Sequence, residues 1–273
     1  MFRHVILATL ALATSASLQA QSFEEQVVEL VNIARWDNGQ LPPMKHVALL
    51  DQSAEGHSVA MGDRNFFMHC DPDTSTSPGQ RMSAAGYAWS SWAENIAAGQ
   101  TTPASVMSSW MNSAGHRANV LGSRREIGVG YHFDAADAAG VRTSTSGCVP
   151  NGTIGGFRHY WTQNFGSRSA VDPVVIDREA YSVASCQVTL YLYNSIGATE
   201  MRFSNDGANW SPWTAFATNA IWTAQGANGT VATVRSEIRN GGTVRAAQDS
   251  IRLGTSCNGA GGGETPLFRH DYE

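Results

Sequence analysis

The chain has 273 residues, 42% of them hydrophobic and 15% charged, with a net charge of −5. That composition excludes intrinsic disorder over most of the length, because apolar content is high and charge is sparse. The 18 basic residues face 23 acidic ones, include one lysine, Lys45, and form no basic run, which excludes a surface built to neutralise nucleic-acid phosphates.

Arg3, the apolar run Val5 to Ala13 and the small residue ending Leu18-Gln19-Ala20 form the three-part pattern of a secretory signal peptide over residues 1–20. The expected product is secreted, extracellular or periplasmic. No other stretch has about 18 consecutive apolar residues, so no transmembrane span is expected. Export puts Cys70, Cys148, Cys186 and Cys257 where pairing is the default. Sequence leaves three connectivities open. If each half folds on its own, the simplest choice is Cys70–Cys148 with Cys186–Cys257.

The first half reads as helices followed by strands. Ser22-Phe23-Glu24-Glu25 is a capping box, and Phe23, Val27, Leu30 and Ala34 make an apolar stripe after it. Leu50, Ala54, His57 and Met61 form a second stripe, on which His57 reads as a core histidine. Thr102-Pro103 starts a third helix carrying Val106, Met107 and Trp110, and helical character resumes after Ser113-Ala114-Gly115 to about Leu121. Ile127, Val129, Tyr131 and Phe133 alternate as a strand. In a second strand, Phe157, His159, Trp161, Gln163 and Phe165 share one face, and Arg158, Tyr160, Thr162 and Asn164 the other. Between them, residues 134–156 read as a mobile surface excursion in which Cys148 could stay free.

From about Pro173 helical periodicity vanishes. Val188, Leu190 and Leu192 alternate with Thr189, Tyr191 and Tyr193, Thr230 to Ile238 alternate again, and Asn205-Asp206-Gly207 and Asn240-Gly241-Gly242 signal turns. Short strands over such a span predict a β-sandwich. The Gly-rich residues after Cys257 read as a flexible tail.

Common catalytic signatures are missing: no H-E-x-x-H, G-x-S-x-G or P-loop occurs. What remains is His69 after an apolar stretch, Glu94 inside the apolar and small run Trp92 to Ala97, and His116 beyond a helix break. A carboxylate in such a run needs a partner. Imidazoles suit it, and a His/His/Glu set also suits a divalent metal. By spacing alone, Glu94 could equally accept backbone N–H bonds with each histidine satisfied elsewhere. His46, His132 and His270 have no convergent partners.

The runs FFMHCDPDTSTSPGQRMSAAGY (66–87), AENIAAG (93–99), SSWMNSAGHRANVL (108–121), IGVGY (127–131) and HYWTQNFG (159–166) together resemble the bacterial branch of the CAP superfamily, which includes cysteine-rich secretory proteins, antigen 5 and plant pathogenesis-related protein 1. The resemblance covers about residues 21–168. It implies an α+β fold, an α–β–α sandwich with a mainly antiparallel sheet between helical layers. It also implies a cavity of two histidines and two glutamates that binds a divalent metal in some members. His69 and Glu94 match two of the four. Ser113 stands where the second glutamate would, and Tyr160 where the second histidine would, with His159 one position off and on the opposite face. His116 is the expected substitute. The implied cavity is His69, Glu94, His116, Ser113 and Tyr160, with zinc as the candidate ion on His69, Glu94 and His116. Residues 174–257, with Glu200 to Gly207 and Trp210, Trp213 and Trp222, resemble an immunoglobulin-like module of bacterial exported proteins, and residues 258–273 are left as the tail.

These readings give a secreted protein that binds an unknown extracellular ligand or partner without catalysis. The competing expectations are a metal-dependent hydrolase or protease, and an adhesin or glycan binder acting through the C-terminal module.

Overall fold

The structure, a computed structural model, describes residues 20–254. The expected leader, apart from its last residue, and the expected tail lie outside the described residues. So does Cys257, and with it the expected Cys186–Cys257 pair.

Helix α1 (Phe23–Asp37) starts as its capping box dictates: Ser22 Oγ accepts from the Glu25 N–H at 3.2 Å, and the Glu25 carboxylate accepts from the Ser22 N–H at 2.8 Å. Strand β1 (Lys45–His46) leads into α2 (Ala48–Asp63), which is followed by β2 (Phe66–Phe67). Helix α3 (Pro78–Ala84) and strand β3 (Ser91–Ala98) come next. Helices α4 (Pro103–Asn112) and α5 (Ala114–Val120) share Ser113 as C-cap and N-cap, which explains the helix break seen in the sequence. Strands β4 (Glu126–Phe133), β5 (Val141–Thr143), β6 (Gly152–Ile154) and β7 (His159–Ser167) complete the first half.

Four strands form the central sheet in the order β1-β4-β7-β3, antiparallel except for the β1–β4 edge pair. One face carries Ile127, Val129, Trp161, Phe165, Ala93 and Ala97, which pack with Val27, Val28 and Val31 of α1 and Val106, Met107 and Trp110 of α4. Trp110 and Trp161 are fully buried here, and truncating such a residue to alanine typically costs about 3–5 kcal/mol. On the opposite face α2 lies directly on β4 and β7. The IGVGY glycines make this possible: a Cβ on Gly128 or Gly130 would run into the α2 backbone at Leu50–Asp51 or Ala54–Glu55. The result is the α–β–α layering that the resemblance implied.

The excursion is more ordered than the sequence reading allowed. Strands β5 and β6 pair with each other, and β5 adds in parallel to β2, forming a second, three-stranded sheet. Cys148 is bonded to Cys70, so it is not a free thiol.

The second half is all-β among the described residues, apart from a single 3₁₀ turn. Strands β8 (Val174–Ile176), β9 (Ser182–Val183), β10 (Gln187–Leu192), β11 (Glu200–Ser204), β12 (Thr214–Ala215), β13 (Asn219–Thr223), β14 (Val231–Asn240) and β15 (Thr243–Leu253) make two sheets, β13-β10-β8 and β12-β11-β14-β15-β9. Val188, Leu190 and Leu192 of one sheet meet Phe203, Val234, Ile238 and Ile251 of the other in a common core. The tryptophans are engaged: Trp213 is stacked between the Arg202 and Arg239 guanidiniums at 4.5 and 4.1 Å, and Trp222 packs on Phe203 and donates to Asn205 Oδ1 at 3.0 Å.

The two halves are tied by buried polar contacts. Lys45 pairs with Glu179 at 2.8 Å and with Asp249, and Asn32 Nδ2 donates to the Arg178 carbonyl at 2.9 Å. At this junction Asp177, Arg178 and Glu179 have φ of 40°, 58° and 62° in succession, a conformation that L-residues hold only under tertiary constraint.

Candidate functional site

Strand alternation builds the site. Trp92, Glu94 and Ile96 of β3 point toward the α2/α3 layer, while Asn95 points to α5, where its Nδ2 donates to the His116 carbonyl at 3.1 Å and its Oδ1 accepts from Asn119 at 2.8 Å. The Glu94 side chain is 1% exposed and accepts three bonds. His69 Nδ1–H donates to Oε1 at 2.9 Å, and Arg81 Nη2 donates to Oε2 at 2.6 Å. Asn164, opposite Glu94 on β7, donates Nδ2 to Oε2 at 3.1 Å in the amide orientation that lets its Oδ1 accept from Ser53 Oγ and the Ala54 N–H. Burial alone would raise the Glu94 pKa. The His57 ring, the His69 hydrogen bond and the Arg81 charge outweigh it and hold the carboxyl below its ordinary range.

His69 sits in the bend after β2. Its side chain is 52% exposed, and the bond through Nδ1 leaves Nε2 as the open nitrogen. Arg81 clamps the segment from α3, donating Nη1 to the His69 and Thr76 carbonyls at 2.9 Å each. Capping fixes that helix: Ser77 precedes Pro78, and the Gln80 side chain accepts from the Ser77 N–H at 2.9 Å. The Cys70–Cys148 bond, one residue past His69, joins the same bend to the β5–β6 loop. Beneath lies His57, fully buried, with Nε2 donating to the Met68 carbonyl at 2.9 Å and Nδ1 lacking a partner among the described residues. Burial lowers its pKa to about 4, so the ring is neutral. It is a core histidine, as the stripe on its helix indicated, and it packs beneath the Glu94 site.

Two further residues flank the cluster. Trp89 donates its ring N–H to the Gly79 carbonyl at 2.9 Å and Ser83 Oγ at 3.0 Å, while the side chain remains 40% exposed. Its ring meets Trp92 edge-on at 6.3 Å. Trp92 is two residues from Glu94 on the same strand face, about 7 Å along β3.

His69 and Glu94 therefore converge as expected, but among the described residues no hydrogen bond joins the side chains of His116, Ser113 or Tyr160 to them. His116 sits on α5, with its pKa lowered chiefly by burial. Ser113 caps the same helix. Tyr160 shares the Glu94 face but pairs with Ala98, four residues along, about 13 Å from the Glu94 position. Its hydroxyl donates to Asp137 Oδ2 at 3.0 Å, and it packs with Met61, Phe66, Met68 and Ile96. Among the described residues no three His, Cys, Asp or Glu side chains are grouped to hold a metal. The donor chemistry agrees: an ion on Glu94 would have to displace the Arg81 guanidinium and face its charge, so His69, Glu94 and His116 do not fit zinc in this arrangement. Sequence reasoning passed over Arg81 and Asn164. The Ser-Pro-Gly-Gln helix start at 77–80 was the signal that would have found Arg81.

An α–β–α sandwich with a histidine and a buried glutamate joined on the edge strand defines the class, and its motifs place the family. The chain matches the cysteine-rich secretory protein family, CAP, over residues 28–165 and belongs to it. It is 43% identical over 119 residues to the uncharacterised protein YkwD of Bacillus subtilis; that stretch is 43% of this chain and 46% of the relative, so the chain spans about half the length of the curated relative it matches. Among solved structures, it is similar to an extracellular SCP-domain protein of Bacillus anthracis, at 28% identity over 53% of this chain and 40% of that one, with a TM-score of 0.41. An outer surface protein of Borrelia burgdorferi aligns at 17% identity over 52% of this chain and 90% of that one, with a TM-score of 0.39.

Proposed function

We propose that the chain is an exported CAP protein that binds an extracellular saccharide over the His69–Glu94–Arg81 cluster, without a resident metal and without catalysis. The observation that carries this reading is the Trp89 ring: it is pinned by its N–H to α3, the helix that supplies Arg81, so it loses little freedom on binding, yet it stays open to solvent. A saccharide combines hydroxyls with a flat C–H face and so matches an exposed ring together with the open His69 Nε2. Export is supported by the leader pattern and by the Cys70–Cys148 bond, which persists in oxidising compartments. Engagement of Trp213 and Trp222 within the C-terminal sheets favours the CAP half over the module as the binding face. A metal-dependent hydrolase would require Arg81 to leave Glu94.

The test is tryptophan fluorescence of the mature protein titrated with a panel of soluble oligosaccharides. At least one should shift the emission, and Trp89→Ala and His69→Ala should each abolish the response while far-UV circular dichroism is unchanged. If no oligosaccharide responds, or if Trp89→Ala binds like the wild type, the reading is wrong.

A further inference from the structure

A buried charge without a carboxylate partner among the described residues lies away from this site. Arg35, in the last turn of α1, is 2% exposed. Its Nε donates to the Pro42 carbonyl at 2.8 Å, and its Nη1 donates to the Val120 and Gly122 carbonyls at 2.7 Å each. Three of the five guanidinium protons are thus spent on neutral acceptors, and among the described residues no carboxylate pairs with it. Burial of a guanidinium without a counter-ion is costly, and carbonyl dipoles with the negative end of α1 offset only part of that cost. Its pKa is accordingly lowered, by burial first and against the smaller effect of the Tyr193 and Tyr191 hydroxyls.

Arg35 faces a cavity of about 210 Å³ between the two halves of the chain, walled by Leu41, Pro42, Leu121 and, from the C-terminal half, Tyr193. Two further guanidiniums stand behind its wall. The Arg124 guanidinium stands 3.5 Å from where a Cβ of the wall residue Gly122 would be, its Nε is buried without a partner among the described residues, and burial alone lowers its pKa. Arg125 lies 5.5 Å from the centre of the Tyr193 ring. The nearby carboxylates are already committed, Asp172 to Arg125 and Glu126 to Arg168 and the Tyr87 hydroxyl. In a chain with a net charge of −5, Arg35 and Arg124 are thus two guanidiniums with no carboxylate partner among the described residues, next to apolar walls at a domain junction where ligand cavities are common.

We infer that this interdomain cavity binds a small organic carboxylate, its head on Arg35 and its compact apolar body between Leu41, Leu121 and the Tyr193 ring. A planar carboxylate matches the fork of a guanidinium and supplies the missing counter-charge. The walls select against a bare inorganic anion, which would leave them unfilled.

The test uses the full chain with benzoate as probe, followed by calorimetry and by the Arg Nε–H region of ¹⁵N-labelled protein. Benzoate should bind and shift the Arg35 resonance, and neutral benzamide and inorganic phosphate should each bind at least about tenfold more weakly. Ser123→Trp, at the exposed rim of the cavity, should block binding without removing any of the Arg35 bonds, and Arg124→Gln should weaken it. Equal binding of benzoate and benzamide, phosphate binding as tight as benzoate, or benzoate affinity unchanged in Ser123→Trp and Arg124→Gln would each overturn the assignment.

Discussion

Arg81→Met is the sharpest perturbation of the candidate site. The Glu94 side chain is 1% exposed and that of Arg81 12%, so their 2.6 Å pair is a buried one. Removing one partner of a buried pair leaves an uncompensated charge and costs about 3–5 kcal/mol. Bonds from His69 and Asn164 remain, so the expected loss is at the lower end, about 3 kcal/mol. The pH dependence follows from the sign of the shift. In the wild type the folded Glu94 pKa is held down, so its contribution is present above the unfolded carboxylate pKa and is lost as pH falls through the folded one. Without Arg81 the burial effect gains weight and the folded pKa rises, so the variant's deficit should be largest near neutral pH and shrink as Glu94 takes up a proton. Urea unfolding, followed by tryptophan fluorescence at about pH 7 and about pH 4.5, reads this directly. The double variant Arg81→Met/Glu94→Gln should recover most of the loss, because no buried charge is then left alone. A deficit below about 1 kcal/mol, one independent of pH, or a double variant in which the losses simply add would refute the reasoning.

Loss of the Cys70–Cys148 bond, as in Cys148→Ser, releases a loop of sequence separation 78. Chain-entropy arithmetic gives a destabilisation of about 4.5 kcal/mol; denaturant midpoints that differ by less than a quarter of this would contradict it. His57 has a folded pKa of about 4, below its unfolded value, because it is buried. Its contribution is therefore fully present above about pH 6.5 and lost as pH falls toward about 4, on the order of 3 kcal/mol in all. In His57→Gln the slope of stability against pH across that window should flatten by up to about 1.4 kcal/mol per pH unit; an unchanged slope would assign the acid sensitivity elsewhere.

Much of the architecture was legible because it rests on local rules. The capping box at Ser22, the Thr102-Pro103 start and the stripes on α1, α2 and α4 each report a helix whose start and buried face depend on neighbours within a few residues. The alternation in β4, β7 and β10 likewise follows from the two-residue repeat of an extended chain. His69 and Glu94 were found together because a carboxylate in an apolar run must have a partner and the motif resemblance named it.

Other features depended on residues distant in sequence. The strand around Glu94 was not recognised because its small residues give no clear alternation; the β3–β7 register creates it and selects Asn164, not Tyr160, as the neighbour of Glu94. The same pleat turns Asn95 toward α5, where it holds the His116 backbone carbonyl instead of joining Glu94. Arg81 reaches Glu94 because α3 docks against β3, and the excursion becomes ordered because β5 finds β2. Sequence by itself determined which segments would be helix or strand and which side chains needed partners, since those are short-range demands of hydrogen bonding and burial. Tertiary structure alone decided which partner each buried charge received, because that depends on strand register, on which layer a helix joins, and on where long-range packing brings a guanidinium within about 3 Å of a carboxylate.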